Sequence, residues 1–184
     1  MPGVNPECVR SEPGAAGTPG RASGLRPLGS GTVAYMPVDS TLVGRTYATK
    51  TPYEVGREKI REFADAVGDP SPVYRDPDAA RALGHPDVVA PPTFPIVVAF
   101  QLLNELFADP TTGLALHRVV HADQKFAADR PIHPGDELVA TLTIESVRQV
   151  AGTDLILTRT DIQTADGTPV CTARASVVHR EEAA

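Results

Sequence analysis

Apolar and polar residues divide this chain into a helical first half and a strand-rich second half. In the first half, apolar side chains recur every three or four positions, which is the period of one helix face. The first such run is Ile60, Phe63, Ala64 and Val67. It predicts a helix that begins near Arg57. A second run is Phe94, Val97, Val98, Leu102, Leu103 and Leu106. Its length of about four turns predicts a buried central helix.

The second half alternates apolar and polar residues, which is typical of half-buried strands. This pattern predicts strands near 119–126, 138–147, 155–162 and 170–178. Turn residues separate them at 133–136 and 165–167. Residues 38–47 are expected to supply a short first strand or a lead-in. The predicted fold class is therefore α+β, a single domain with one long helix packed on at least four antiparallel strands.

Turn residues break the helical half at two places. Gly68 to Pro72 is a cluster of turn formers through which no helix can continue. Asp76-Pro77 resembles the capped start of a short helix, and Gly84 its stop. Ala90 to Thr93 then forms a rigid, extended entry to the long helix. A helix start offers free backbone N–H groups that can hold an oxyanion or a thioester carbonyl.

Composition excludes several classes of function. The 184 residues carry a net charge of −6, which argues against a nucleic-acid surface. No apolar run reaches the length of a membrane span. Cys8 and Cys171 are too few and too far apart for a disulfide framework, so a cytoplasmic location is expected. Neither metal-ligand spacing nor a glycine-rich phosphate loop occurs, so no metal and no cofactor are expected.

Three segments are expected along the chain. Residues 1–35 are rich in Gly and Pro and show no apolar face, which predicts a disordered tail or an over-called start; a docking tail is the alternative. Residues 36–179 form the domain. Residues 180–184 are a short C-terminal tail.

The loop and the helix start resemble a known family. The loop Gly68-Asp69-Pro70-Ser71-Pro72-Val73-Tyr74 is similar to the Gly-Asp-x-Asn-Pro-x-His motif of MaoC-like and FAS1-type dehydratase N-terminal domains. Ser71 stands in the Asn place and Tyr74 in the place of the catalytic His. The resemblance extends from about Val38 to Val178. It is greatest to the actinobacterial type of (3R)-hydroxyacyl-ACP dehydratase subunit that works with a MaoC-like partner.

The resemblance implies a hotdog fold, in which a curved antiparallel sheet wraps the long helix, and an enoyl-thioester hydration site. In active members an Asp and a His of the loop carry the water chemistry, and N–H groups at the helix start hold the thioester oxygen. Here Tyr74 is a poor base, and Pro91-Pro92 stands where active members have His-Gly. Both departures indicate the non-catalytic half of an enzyme.

The candidate site residues follow from this comparison. Asp69 and Tyr74 are the catalytic candidates, although Asp69 is equally typical of a turn and Tyr74 of a packing residue. His85 is a candidate substitute for the lost imidazole. The predicted substrate contacts are Ser71, Pro92, Thr93, Phe94 and Val97. The helix stripe that includes Phe94 is also typical of core. His121 and Gln124 are interpreted as interface or structural hydrogen bonders, and His117 and His133 as surface residues.

Three functions remain open from the sequence. The first is a dehydratase subunit that shapes an acyl tunnel and pairs with a catalytic MaoC-like subunit. The second is a self-sufficient homodimeric enoyl-CoA hydratase that uses Asp69 with Tyr74 or His85. The third is a non-catalytic acyl-thioester binding module. The ligand would be an acyl-CoA or an acyl-ACP. Docking of the carrier protein would use a basic patch, with candidates Arg57, Lys59, Arg61, Arg118, Lys125 and Arg130.

Overall fold

A computed structural model describes residues 38–150 and 152–180 as one antiparallel sheet with three α-helices. The helices are α1 (Arg57–Ala66), α2 (Pro77–Ala82) and α3 (Ile96–Ala108). The strands are β1 (Thr46–Ala48), β2 (Tyr53–Glu54), β3 (Val119–Ala128), β4 (Glu137–Val150), β5 (Thr153–Thr164) and β6 (Pro169–Arg180). The tail expected at 1–35 and residues 181–184 of the tail expected at 180–184 lie outside the described residues, whereas Arg180 is the last residue of β6.

The sheet is ordered β1-β4-β5-β6-β3, and β2 also pairs with β4. All pairings are antiparallel. β4, β5 and β6 follow one another in sequence and in space, because tight turns join them; Gly167 has φ 91° in the second turn. The chain returns from α3 into β3, which among the described residues pairs with β6 alone and therefore forms one edge of the sheet that they build.

α3 lies at the centre of the domain and packs against β4, β1 and β5. Its buried residues are Val98, Ala99, Leu102, Leu103 and Leu106. A helix that is apolar on so much of its surface has to be covered, and the sheet provides that cover. Phe94, just before α3, is fully buried and meets Phe63 of α1 edge-on, with ring centroids 5.4 Å apart. The predicted central helix and the antiparallel sheet are both confirmed.

The short elements follow from local chemistry. Asp76 caps α2, because its Oδ1 accepts a hydrogen bond from the backbone N–H of Asp78 at 2.9 Å, and Pro77 occupies the first helical position. Gly84 ends that helix with φ 89°. Two details differ from the sequence pattern. Val67 continues the apolar stripe of α1 but is 51% exposed at the helix end. The expected lead-in is a 3₁₀ turn at Ser40–Leu42, followed by β1 and a separate β2.

Asp109 connects the end of α3 to the first strand. Its carboxylate accepts hydrogen bonds from the Tyr47 hydroxyl at 2.9 Å and from Arg45 Nη1 at 3.1 Å. It also accepts from the N–H and the hydroxyl of Thr111. The hydrogen bonds from Thr111, and then that from Tyr47, lower the pKa of Asp109 to about 2. The cluster fixes the far end of the central helix.

Asp109→Asn is expected to lower the Tm at pH 7, because the ionised carboxylate is the form that the cluster stabilises. The contribution is present above the ordinary pKa of 3.8 and is lost as pH falls through about 2. Thermal unfolding of both proteins between pH 7 and pH 2 should therefore show the Tm difference shrinking below pH 3.8. Glu62→Gln, which removes an exposed pair with Lys59, is the control and should change Tm little. A Tm difference that is the same at pH 2 and pH 7 contradicts the assignment.

Candidate functional site

The loop after α1 is shaped by Asp69. Gly68 ends the helix in the left-handed region with φ 71°, and Asp69 Oδ1 then accepts a hydrogen bond from the backbone N–H of Ser71 at 3.0 Å. The loop continues as a 3₁₀ turn at Pro72–Tyr74, and Arg75 Nη1 donates to the Ser71 carbonyl at 3.0 Å. One oxygen of the Asp69 carboxylate is thus used to form the turn itself.

Tyr74 directs its hydroxyl toward this same carboxylate. Partial burial raises the pKa of Tyr74, and the negative charge and hydrogen bond of Asp69 raise it further. A phenol with a raised pKa keeps its proton at neutral pH. Tyr74 therefore has no base function beside Asp69.

The start of α3 has few free backbone donors. Pro91, Pro92 and Pro95 carry no N–H. The N–H of Phe94 donates to the Pro91 carbonyl at 2.9 Å, and that of Ile96 to the Thr93 carbonyl at 3.1 Å. Within the described part of the chain, Thr93 is the residue of this turn whose N–H has no backbone acceptor. A pair of convergent N–H groups for an oxyanion is not present here.

A cavity of about 470 Å³ lies beside this helix start. It is bounded by the 72–74 turn, the end of α2, the prolines before α3 and the connection from β3 to β4. Its wall is mostly apolar and is formed by Val73, Tyr74, Leu83, His85, Val89, Ala90, Pro91, Pro92, Pro95, Ala128, Asp129, Arg130, Pro131, Ile132 and Cys171. Its volume and lining suit an apolar chain with a small polar group.

The cavity brings together some of the predicted site residues. Tyr74, His85 and Pro92 line it. Asp69 interacts with Tyr74 and is not part of the wall. The predicted substrate contacts outside the wall are Ser71, Thr93, Phe94 and Val97. Of these, Phe94 is buried in the core and Thr93 is exposed at the helix start. Those assignments remain predictions.

The sequence pattern did not predict that His133 lies beside the candidate residue His85. Its Nε2 lies 3.4 Å from Nδ1 of His85, and the two ring centroids are 5.5 Å apart. Burial lowers the pKa of His133; the positive charges of His85 and Arg130 lower it further, while Asp136 and Asp87 oppose them. The interpretation of His133 as a surface residue does not hold, because its ring is half-buried against His85. The two residues are 48 positions apart, so no local signal relates them.

The loop that carries His133 is held rigidly. Arg130 forms a two-pronged pair with Asp136, Nη1 to Oδ2 at 2.9 Å and Nη2 to Oδ1 at 3.0 Å. Asp136 Oδ2 also accepts the backbone N–H of His133 at 2.9 Å. Burial acts to raise the pKa of Asp136, but the hydrogen bonds from Arg130 and His133 outweigh it and hold the pKa below its ordinary value. The imidazole of His133 is thereby presented to His85 from an ordered turn.

Other chemistry at the cavity is limited. Burial raises the pKa of the Cys171 thiol to about 11, so the thiol stays protonated and is a poor nucleophile. Within residues 38–150 and 152–180 no three His, Cys, Asp or Glu side chains are grouped so as to hold a metal ion. Among the helices of these residues, none combines the length and the apolar composition needed to cross a membrane.

Most of the candidate basic patch is neutralised by ion pairs. Arg57 pairs with Asp87, Arg61 with Glu58, and Lys59 with Glu62 at 3.0 Å. In β3, Lys125 pairs with Asp123 at 3.6 Å, and in the loop after it Arg130 pairs with Asp136 at 2.9 Å. These cations offer a carrier protein less positive potential than their number suggests.

Comparison with known proteins agrees with the fold. Residues 41–173 match the model of the family described as FAS1-like, dehydratase domain region. The chain belongs to this FAS1-like dehydratase family. The resemblance drawn from the Gly68 to Tyr74 loop is thereby confirmed, and so is the hotdog fold.

This chain is also similar to individual relatives and to solved structures. The UPF0336 protein of Streptomyces avermitilis is 52% identical over 145 residues, 79% of this chain and 97% of the relative. The truncated HadBC (3R-hydroxyacyl-ACP dehydratase) complex of Mycobacterium tuberculosis matches with 32% identity and a TM-score of 0.68, over 74% of this chain and 96% of that one. A MaoC-like dehydratase matches with 38% identity and a TM-score of 0.69, over 75% of this chain and 42% of that one.

Proposed function

We propose that this chain is the acyl-binding subunit of a (3R)-hydroxyacyl-thioester dehydratase, or enoyl hydratase, of fatty acid metabolism. It shapes the tunnel for the acyl chain and pairs with a MaoC-like subunit that performs the chemistry. The observation that carries the proposal is the apolar cavity at the start of α3, whose wall has Tyr74 and prolines where catalysis needs a base and backbone donors. The chain acts in the cytoplasm, where CoA and carrier-protein thioesters occur.

The missing groups are specific to the reaction. Dehydration of a 3-hydroxyacyl thioester requires a base for the α proton, an acid for the leaving hydroxyl and donors for the thioester oxygen. Tyr74 is protonated and engaged with Asp69, and Asp69 also forms the turn to Ser71. The N–H groups at the start of α3 are proline-blocked or used within the turn. The cavity can bind the substrate, but Tyr74 stands in the place of the catalytic imidazole, and the start of α3 offers no pair of backbone donors for the thioester oxygen.

The edge strand β3 supports a partner subunit. Four consecutive residues of β3 are exposed, so neither face of the strand is covered there; they are Val120, His121, Ala122 and Asp123. An unpaired edge with both faces open is a template for a strand from another chain. Since β3 ends at Ala128, which lines the cavity, a partner on this edge would lie next to the acyl site. A subunit there is well placed to supply the missing acid and base.

The comparisons support the same assignment. The Mycobacterium tuberculosis structure that this chain resembles is that of the HadBC (3R-hydroxyacyl-ACP dehydratase) complex. The match to the similar MaoC-like dehydratase covers 42% of that chain. The rest of that polypeptide is long enough for a further domain. Both cases are consistent with a domain that works together with a second one.

Hydration of a trans-2-enoyl thioester is expected only when this chain is mixed or co-expressed with a MaoC-like subunit. The loss of the enoyl absorbance reports the reaction. The chain alone should be inactive, and Tyr74→His should add little, because the start of α3 still lacks backbone donors. Asp69→Asn in this chain should leave the activity of the mixture within about twofold, since the carboxylate acts here as a turn former.

Two other results would change the assignment. Robust hydration by the isolated chain, abolished by Asp69→Asn, would establish a self-sufficient hydratase. Binding of acyl thioesters without turnover, alone and with every MaoC-like partner, would establish an acyl-thioester binding module. Ligand-induced stabilisation of the chain separates that case from a chain that binds nothing.

A further inference from the structure

Besides the buried thiol of Cys171, the wall of the cavity contains four polar side chains, Tyr74, His85, Asp129 and Arg130. The Tyr74 hydroxyl interacts with the Asp69 carboxylate. Asp129 is exposed, and its carboxylate accepts hydrogen bonds without donating them. Arg130 Nη1 donates to Asp136 and to the Pro131 carbonyl at 2.7 Å, and Nη2 donates to Asp136, so the guanidinium is fixed to its own loop. Tyr74 and Arg130 thus already have partners within the protein, and Asp129 cannot donate.

His85 is the fourth polar side chain. Its Nδ1 lies on the side of His133, at 3.4 Å from His133 Nε2. Its Nε2 is the ring nitrogen left for a ligand, and within residues 38–150 and 152–180 it makes no hydrogen bond. A polar group with an open donor in a mostly apolar cavity fixes the orientation of a ligand.

We propose that His85 donates a hydrogen bond from Nε2 to the thioester carbonyl of the acyl ligand, and that His133 is the positioning residue that sets the tautomer of His85. The assignment rests on the proposed acyl-binding function and adds a specificity-determining group to it. With this hydrogen bond, the subunit recognises the thioester group of the ligand as well as its acyl chain.

The tautomer follows from the pair itself. One proton lies between His85 Nδ1 and His133 Nε2. When His133 Nε2–H donates, Nδ1 of a neutral His85 is the acceptor, and the proton of His85 is on Nε2. A ligand carbonyl selects this state, because the alternative tautomer would place the lone pair of Nε2 against the carbonyl oxygen.

Burial lowers the pKa of His133 below its ordinary value, which favours the neutral imidazole that the pair needs. The charged groups that act on the ring are Asp136 on its own loop, Arg130 just after β3, and Asp87 on the loop after α2. Asp87 and Asp136 oppose the effect of burial, but each is paired with an arginine.

The test compares two probes on the full chain by calorimetry. One is the octanoyl thioester of N-acetylcysteamine, and the other is S-octyl-N-acetylcysteamine, a thioether that lacks only the carbonyl. The wild type should prefer the thioester by about three- to tenfold, the value of one hydrogen bond. His85→Leu should abolish this preference without changing the thioether affinity. His133→Leu should reduce it, and His133→Gln should retain it, because the amide N–H can still donate to His85 Nδ1.

Imidazole ¹⁵N NMR provides a readout that a purely structural role would leave unchanged. The thioester should shift Nε2 of His85 in the wild type, and His133→Leu should convert His85 to a mixture of tautomers before any probe is added. A thioester preference that survives His85→Leu overturns the proposal while leaving acyl binding intact. Failure of both probes to bind the wild type overturns the proposed function and this assignment with it.

Folding of the variants is controlled within the same experiment. Loss of thioether binding in His85→Leu would indicate a damaged cavity. In that case His133→Leu and His133→Gln decide the question, since both keep His85. Equal thioester preference in these two variants contradicts a positioning role for His133.

Discussion

Phe94→Ala is expected to lower the free energy of unfolding by about 3–5 kcal/mol. Phe94 is fully buried and packs edge-on against Phe63, with an interplanar angle of 76°. Its removal deletes the burial of a whole ring and leaves a cavity at the point where α1 meets the start of α3. Urea unfolding should show a lower midpoint with an unchanged m-value.

Phe100→Ala is the matched control for this change. Phe100 lies on α3 itself but is 43% exposed. Its replacement should cost about 1 kcal/mol or less. Equal losses for the two variants would mean that Phe94 is not a core residue. Enzyme activity of the mixture with Phe94→Ala should follow the folded fraction, whereas a direct substrate contact would alter the preferred chain length in the folded protein.

Ala128→Trp is expected to weaken binding of an octanoyl thioester by roughly 50-fold while sparing an acetyl thioester. Ala128 is exposed at the end of β3 and lines the cavity, so the indole can enter it without disturbing the core. Displacing about three methylenes of the acyl chain, at about 0.8 kcal/mol each, gives about 2.4 kcal/mol. Calorimetry with acyl thioesters of increasing length measures the effect directly.

Ala127→Trp is the control for Ala128→Trp. Ala127 is the preceding residue of β3, is also exposed and is absent from the cavity wall. Because successive strand residues point to opposite faces, its indole projects away from the cavity. The octanoyl affinity should be unchanged. Equal weakening by both variants would show that the edge strand, rather than the cavity, was perturbed.

The sequence predicted the elements whose cause is local. The alternation in β4 and β5 and the turn glycine Gly167 are read within a few residues, because strand period and positive φ act over that distance. The same holds for Asp76 and Pro77 at the start of α2. The expectation that Val67 continues the buried stripe was wrong, because the period of apolar residues does not show where a helix ends, and α1 ends at Ala66.

The candidate site was predicted only in its local part. Tyr74, His85 and Pro92 lie in the marked loop and helix start, and all three line the cavity. His133 and Arg130 reach the site from another part of the chain through the β3 to β4 connection. Contacts between residues that are distant in sequence depend on the register of the sheet, and the register is not evident from a single sequence. For the same reason the ion pairs that neutralise the expected basic patch were not foreseen.

The open edge of β3 has a consequence for the cell that makes this protein. Val120 is 41% exposed on a strand that pairs on one side only. Under the pairing proposed above, copies made in excess of the partner would present this edge to one another and to other nascent chains, where it favours aggregation. Matched synthesis of the two subunits removes the surplus. The level of this protein in the cell should therefore follow the supply of its partner, with unpaired copies degraded first.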